Sequence, residues 1–312
     1  MVGIDTKQTL NILLPNTNKA LSEVIKDASP KELAKLSEGK ELKSLLSSIL
    51  KDSANDESQN KLLLSLVKNN PTLKEIGNGA NNLKELLALL KQDKNPLPLE
   101  KLLQTMLSDI KNIDEKGLKS KIENSGVFLE SKIKHLDKTL SGVQIKELLS
   151  HDLKAVLLKT QEELSSSTHP NKQELLKQID KLTLQIDYHQ LLSHLNDSSS
   201  LYLPYSWDAL EEGSINIKTA KEDKFFCDIE LKLKEYGEIK LRLGMFETNQ
   251  LSMNINTQNS ALKKLLQENL PQLKRQLLDV GINPSSIRFV EDEAPAYEDA
   301  HSSIALGFEV KA

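Results

Sequence analysis

The sequence predicts an α+β protein: a mainly α-helical N-terminal region followed by a small α+β domain, an antiparallel sheet packed on one long helix. Three observations lead there. Between Phe225 and Ile255 the apolar residues recur every second position, the period of a strand with one buried face. From Leu262 to Leu278 they recur every third or fourth, the period of an amphipathic helix. Before Tyr188 the one aromatic residue is Phe128, whereas Trp207, most of the Phe and Tyr, and the arginines Arg242, Arg275 and Arg288 all follow. The polar run Asn196-Asp197-Ser198-Ser199-Ser200 reads as a linker. It divides the chain into residues 1–195, a linker at 196–200 and a domain at 201–312.

The first 195 residues read as a succession of helices. Ala20, Leu21, Val24 and Ile25 form one apolar stripe. Pro30 opens the next helix with Ser29 as its cap and Leu33 and Leu36 behind. Leu42, Leu45, Leu46, Ile49 and Leu50 make a third. A fourth runs through Leu62 to Val67 and stops near Pro71. Leu83, Leu86, Leu87 and Leu90 follow the Asn-rich stretch 78–82, and Leu99 to Ile110 follow the breaker Asn95-Pro96-Leu97-Pro98. Around Gly126 one helix ends and another begins near Phe128. Two longer patterns, Val143 to Leu164 and Gln173 to Leu195, close this half. Leu is its main apolar residue. A buried Leu contributes about 1.5–3 kcal/mol, and Phe and Trp bury more area each. The expectation is therefore a helical half of low stability.

After the linker, Leu201-Tyr202-Leu203-Pro204-Tyr205 and Trp207 supply apolar bulk, and Ile215 and Ile217 suggest a first strand. Phe225, Cys227, Ile229, Leu231 and Leu233 form the next. Gly237, a residue that tolerates positive φ, marks the turn. The alternation resumes at Ile239, Leu241, Leu243 and Met245, and again at Leu251, Met253 and Ile255. Asn259 or Ser260 caps the long helix and Gly281 ends it. Pro271 lies inside it and predicts a kink or a restart after Asn269. Ile287 and Phe289 return to strand spacing. Glu291 to Asp299 reads as an acidic loop, and Ile304, Leu306, Phe308 and Val310 as a last strand pairing with the sheet.

The totals exclude several functions. A formal net charge of −4 over 312 residues argues against a nucleic-acid surface. One cysteine allows no intrachain disulfide. No apolar run approaches the roughly 18 residues needed to span a bilayer, so no membrane insertion is expected. The opening MVGIDTKQTLNILLPNT lacks the pattern of a cleaved secretory signal. Of the histidines, His189 and His194 are five apart and do not share a helical face as a four-residue spacing would, so packing or solvated roles are expected. Cys227 falls on the apolar side of its strand, a core position rather than a reactive thiol. Gly77-Asn78-Gly79-Ala80 faintly resembles a phosphate loop, but a third glycine and a preceding strand are missing, and a helix C-cap is the expectation. No nucleophile elbow, phosphate-binding lysine loop or metal-ligand cluster is present in the pattern. The chain is expected to be a binding protein without enzyme activity, catalytic residues, metal or cofactor. Lys263, Lys264, Lys274 and Arg275 give the long helix a basic flank, suited to steering an acidic partner.

Gly-Glu-Ile-Lys-Leu-Arg-Leu at 237–243, Gln-Leu-Ser-Met-Asn-Ile at 250–255 and Leu-Pro-Gln-Leu-Lys-Arg-Gln-Leu-Leu-Asp-Val-Gly-Ile at 270–282 together resemble the C-terminal domain of flagellar hook-length control proteins. The likeness covers about the last third of the chain; Tyr236 stands where the family usually has Leu. Leu118 to Glu130 resembles a segment that precedes this domain in the same family. The resemblance implies an exported type III substrate. It implies that residues 1–195 measure hook length and that residues 201–312 switch the export apparatus from rod and hook parts to filament parts. The implied partners are the cytoplasmic domain of the export-gate protein and the hook and hook-cap proteins. Ile239, Leu241 and Leu273 match family positions linked to export-gate contact, with Gly237, Pro271 and Gly281 as structural turn positions. The implied location is the bacterial cytoplasm, then the flagellar channel. Extended, 195 residues reach roughly 640–700 Å, and as continuous helix about 290 Å, so a ruler requires the helices to melt in transit. A second expectation from another class is a non-exported helical scaffold or adaptor carrying an α+β interaction module.

Overall fold

The computed structural model of the chain describes residues 18–37, 57–76, 79–92, 98–107, 109, 114–136, 141–196, 198–202, 207–219, 224–247 and 249–291. The expected helix around Leu42–Leu50, the acidic loop beyond Glu291 and the last strand at Ile304–Val310 lie outside these residues. The chain divides into two compact units, Met1–Ser214 and Ile215–Ala312. The secondary structure is α+β, helices first and a sheet with one long helix after them.

In the first unit the described helices are α1 (Lys19–Asp27), α2 (Pro30–Ser37), α3 (Glu57–Asn69), α4 (Pro71–Lys74), α5 (Gly79–Leu90), α6 (Pro98–Met106), α7 (Glu115–Glu123), α8 (Leu129–Lys134), α9 (Gly142–His151), α10 (Leu153–Ser165) and α11 (Lys172–Leu195). Their starts follow local chemistry. The Asn18 side chain accepts from the Leu21 amide at 2.9 Å, and the Asn70 side chain from the Leu73 amide at 2.9 Å. Ser29 and Glu32 cap α2 reciprocally: the Ser29 amide donates to the Glu32 carboxylate and the Glu32 amide to the Ser29 hydroxyl. Pro30, Pro71 and Pro98 each open a helix, where a missing N–H costs nothing.

The longest helix, α11, is the hub of this unit. Leu191 and Leu195 join Leu21 and Val24 of α1, Leu36 of α2, Leu63 and Val67 of α3 and Leu73 of α4 in one apolar cluster. A second cluster gathers Leu129, Leu149, Ala155 and Leu158 from α8, α9 and α10.

Three expectations are corrected here. The single pattern Val143–Leu164 is two helices, because Asp152 leaves helical geometry and caps α10, accepting from the Lys154 amide at 3.1 Å and the Ala155 amide at 3.3 Å. Gly79 opens α5, so it is no part of the helix C-cap expected within 77–80, whose Gly77 and Asn78 lie outside the described residues. A Cβ at Gly79 would lie 3.0 Å from Gln185 Nε2 and from Tyr202 Cδ2, so the glycine serves close packing. Ser199 and Ser200, expected in the linker, begin strand β1 (Ser199–Tyr202), where Ser200, Leu201 and Tyr202 are buried. The division between units falls later, at Ser214/Ile215.

The remaining strands are β2 (Leu210–Thr219), β3 (Phe225–Leu233), β4 (Gly237–Phe246), β5 (Gln250–Asn256) and β6 (Asn283–Phe289), with helix α12 (Ser260–Asp279) between the last two. The strand order is β1-β2-β3-β4-β5-β6. β3, β4 and β5 pair antiparallel, but β6 pairs parallel to β5. The sheet is therefore mixed where an antiparallel one is expected. The reason is the connection: α12 carries the chain back across the sheet, so the next strand enters in the direction of β5.

Candidate docking surface and buried polar cluster

Alternation along β3, β4 and β5 separates two faces of the sheet. The register sets Cys227 opposite Leu243, Ile229 opposite Leu241 and Leu231 opposite Ile239, then Leu243 opposite Met253 and Leu241 opposite Ile255. This apolar face buries Cys227, Leu233, Ile239, Leu251, Met253 and Ile255. Burial pushes the Cys227 thiol up to about 11, with the Asp228 carboxylate adding to it, so the residue packs rather than reacts.

The opposite face is polar with one aromatic corner. Arg242 donates from Nε and Nη2 to the two carboxylate oxygens of Asp228, at 2.8 and 3.3 Å, directly across the β3–β4 pair. Phe226 and Phe246 meet edge to face, with ring centroids 5.8 Å apart, over Gly244. A Cβ at Gly244 would lie 2.9 Å from the Phe246 ring.

α12 presents Leu262, Leu266, Leu270, Leu273 and Leu277 along one stripe. Leu262 is buried, and the other four are half-buried. Asn259 caps the helix, accepting from the Leu262 amide at 3.0 Å. The helix ends as a Schellman turn: Ile282 N–H donates to the Leu277 carbonyl at 2.9 Å and Gly281 N–H to the Leu278 carbonyl at 3.0 Å, with Gly281 at φ +80°. Of the expected kink or restart, the restart does not occur: Pro271 is exposed and α12 runs through it to Asp279.

Of the export-gate positions, Ile239 is 5 % exposed and belongs to the core. Leu241 is half-buried on the same face, and Leu273 is half-buried in the α12 stripe. Gly237 is the first residue of β4 and holds φ +74° at the β3–β4 turn. Among the described residues of this unit the exposed large apolar side chains are others: Phe225 (39 %) at the start of β3, and Leu265 (43 %), Leu278 (58 %) and Val280 (71 %) on or just past α12. The last three neighbour Lys264, Lys274 and Arg275, all exposed.

The helical unit holds a feature that the apolar pattern does not announce. Lys154 of α10, 1 % exposed, donates to Gln190 Oε1 at 2.7 Å and pairs with Asp187 Oδ1 at 2.7 Å and with Glu130. The second oxygen of Asp187 accepts from the Lys19 amide at 2.7 Å, at the start of α1. Burial works against the charge on Lys154, but the Asp187 and Glu130 carboxylates outweigh it and hold the ammonium above its ordinary range. Beside it, Lys132 reaches the buried Asp152 carboxylate at 3.0 Å.

These side chains converge on the loop Ser125-Gly126-Val127. Gln190 Nε2 donates to the Gly126 and Val127 carbonyls at 3.3 and 3.0 Å and also to Glu130, and the Tyr202 hydroxyl donates to the Ser125 carbonyl at 3.2 Å. Gly126 has φ +89°, and a Cβ there would lie 2.8 Å from Lys154 N. Leu118–Glu130 thus forms the α7–loop–α8 turn, as expected, fastened by polar side chains of α10 and α11. His189 packs between Tyr188 and Tyr202, its Nδ1 3.1 Å from Ser200 Oγ, and burial pulls it down to about 4. Charged residues in a helix-rich chain read as solvated faces, so Lys154 and Asp187 carry no signal in the sequence that marks them as buried.

Among the described residues no group of three or more His, Cys, Asp or Glu side chains is arranged to hold a metal ion. No described helix is long and apolar enough to cross a membrane.

Residues 213–298 match the family model described as flagellar hook-length control protein FliK. No curated protein and no solved structure matches the chain.

Proposed function

From the premise that residues 213–298 are a flagellar hook-length control region, we propose that this chain is an exported substrate of the flagellar type III apparatus. It measures hook length and switches export from rod and hook parts to filament parts. The C-terminal unit is the switch, and its partner is the cytoplasmic domain of the export-gate protein. Residues 1–195 are the measuring segment, meeting hook and hook-cap proteins after they leave the cytoplasm. No nucleic acid, membrane insertion, cofactor or catalysis enters this function.

What carries the reading is one coincidence: the family match covers the strands and helix that form a compact unit of their own. A domain with its own core can dock while the rest of the chain is threaded. Leu241 and Leu273 are the docking side chains, with the basic flank of α12 steering an acidic partner surface. Ile239, packed in the core, supports the surface from beneath. Measuring requires the helical unit to unfold for passage. A helical unit without disulfides, with total stability of order 5–15 kcal/mol, is within reach of such a machine.

Deleting residues 201–312 in the native organism is expected to leave overlong hooks without filaments; normal flagella would overturn the proposal. Leu241→Asp and Leu273→Asp are expected to abolish switching in a domain that stays folded by circular dichroism. A second reading is a non-exported scaffold, favoured by the packed core and buried ion pair of the helical unit. Absence of the protein from the culture supernatant of hook-assembling cells would decide for it.

A further inference from the structure

Asp187 of α11 is where the buried charge meets the start of α1. The chain enters α1 through Asn18, a buried residue whose side chain works in two directions. Its Oδ1 caps α1 at the Leu21 amide, and its Nδ2 donates to the Asp187 carbonyl at 2.8 Å. Lys19 follows, and its backbone N–H donates to Asp187 Oδ2 at 2.7 Å. The first turn of α1 thus turns an unpaired amide, at the positive end of the helix dipole, onto a buried carboxylate.

The same carboxylate also faces the other way. Asp187 Oδ1 lies 2.7 Å from Lys154 Nζ of α10, and that ammonium meets Glu130 of α8 and Gln190 as well. The apolar side chains of α1 make no such link. Ala20, Leu21 and Val24 belong to one cluster, and Leu129, Leu149, Ala155 and Leu158 to another. A second polar link runs over the surface: Asp180 Oδ1 accepts from Lys19 Nζ at 2.8 Å and from Gln161 Nε2 of α10 at 2.7 Å. Asp180 is half exposed, and an exposed pair contributes little. The buried connection between α1 and the α8–α10 side is therefore Asp187.

Burial couples the two sides. With α1 seated, the Lys154–Asp187 pair is out of water, and its attraction is strong because the local dielectric is low. With α1 lifted away, Asp187 loses the Lys19 amide, the helix dipole and the cover that excludes water. The pair is then screened, and Lys154 holds α8 and the loop Ser125-Gly126-Val127 less firmly.

We propose that α1 is a latch on the helical unit. Its first turn, docked on Asp187, locks the Lys154–Asp187–Glu130 cluster, and its release is the step that opens α8 and α10. The signal passes from one side of α11 to the other through a single carboxylate. This inference does not depend on the hook-length reading.

Lys19→Pro in the full chain cuts the latch and leaves α1 able to form. Proline suits the first position of a helix, and Asn18 already has the extended backbone, ψ 111°, that a following proline requires. The substitution removes the amide on Asp187 together with the Nζ bond to Asp180. Lys19→Ala removes only the second and is the control. Amide exchange followed residue by residue reads the outcome. The Leu153 N–H donates to the Asn124 carbonyl at 3.0 Å and the Leu129 N–H to the Gly126 carbonyl at 3.3 Å, so these amides report on the seating of α10 and α8. In Lys19→Pro both, and the Val24 amide of α1, are expected to exchange roughly tenfold faster or more than in Lys19→Ala, the worth of one hydrogen bond to a charged group. With Asp187→Asn added to each, the gap at Leu129 and Leu153 is expected to close, because the charge that carries the coupling is gone. Equal rates at Leu129 and Leu153 in Lys19→Pro and Lys19→Ala would overturn the proposal. So would a gap that persists with Asp187→Asn, which would mean that α1 adds stability to the whole unit without acting through the carboxylate. If the double variants do not fold, the comparison of the two single variants decides alone.

Discussion

Lys154→Met tests whether the helical unit is organised around its buried charge. The substitution keeps the length and apolar stem of the side chain and removes the ammonium. Asp187, 0 % exposed, then loses a partner 2.7 Å away and keeps the Lys19 amide. Removing one member of a buried pair costs about 3–5 kcal/mol, because the remaining charge stays desolvated. Glu130 is half exposed and re-solvates, so it adds little to that sum. With a urea slope of about 2 kcal/mol per M, the midpoint falls by about 2 M. Urea titration followed by far-ultraviolet circular dichroism reads it, since most of the helix belongs to this unit. The double variant Lys154→Met/Asp187→Leu removes both charges. It forfeits the carboxylate on the Lys19 amide, worth about 1–2 kcal/mol, and is expected to be more stable than Lys154→Met alone. A single variant that loses less than about 1 kcal/mol, or a double variant no better than the single, refutes the reasoning.

The helical unit is also expected to weaken in acid through His189. Its folded value is about 4 against 6.5 for the unfolded chain, so the unfolded state binds more protons between those values. Stability is complete above about pH 6.5 and falls by about 3 kcal/mol as pH drops to 4; His189→Gln flattens that part of a urea-midpoint curve. Gly126→Ala combines positive φ with a Cβ 2.8 Å from Lys154 N, and a loss of about 2 kcal/mol or more is expected in thermal melts. Gly281→Ala has the same backbone strain with nothing within 4 Å, so about 1 kcal/mol is expected, confined to the C-terminal unit. Cys227, buried with its thiol raised to about 11, is expected to resist a thiol reagent at neutral pH until urea unfolds the sheet; rapid labelling of the native protein would contradict its placement in the core.

Much of the local structure was legible because it is decided locally. Period two in Phe225–Leu233 and Gly237–Phe246, the Gly237 turn, the Asn259 cap and the Gly281 terminator follow from residues within a few positions of each other. The same holds for the three prolines that open helices and for the Ser29–Glu32 cap. Asp152 is a local signal of the same kind: an acidic cap inside an apolar pattern splits Val143–Leu164 in two. Of the candidate site, Gly237 and Gly281 could be placed from sequence, and Leu273 on its stripe. Ile239 falls on the apolar face of its strand, but that Leu278 and Val280 face solvent could not be read, since the stripe alone does not say how far α12 is covered.

The sequence by itself determined where strands and helices form, which face of each is apolar, and which family the C-terminal region matches, because those depend on spacing and near neighbours. Tertiary structure decided the rest. It set β6 parallel to β5 because α12 must cross the sheet between them. It drew Ser199 and Ser200 out of the expected linker into a strand with buried residues. It also buried Lys154 against Asp187, an arrangement between residues far apart in the chain, each of which alone looks like any other charge on a helix. Contacts across such distances depend on how whole elements meet, and no short pattern encodes that meeting.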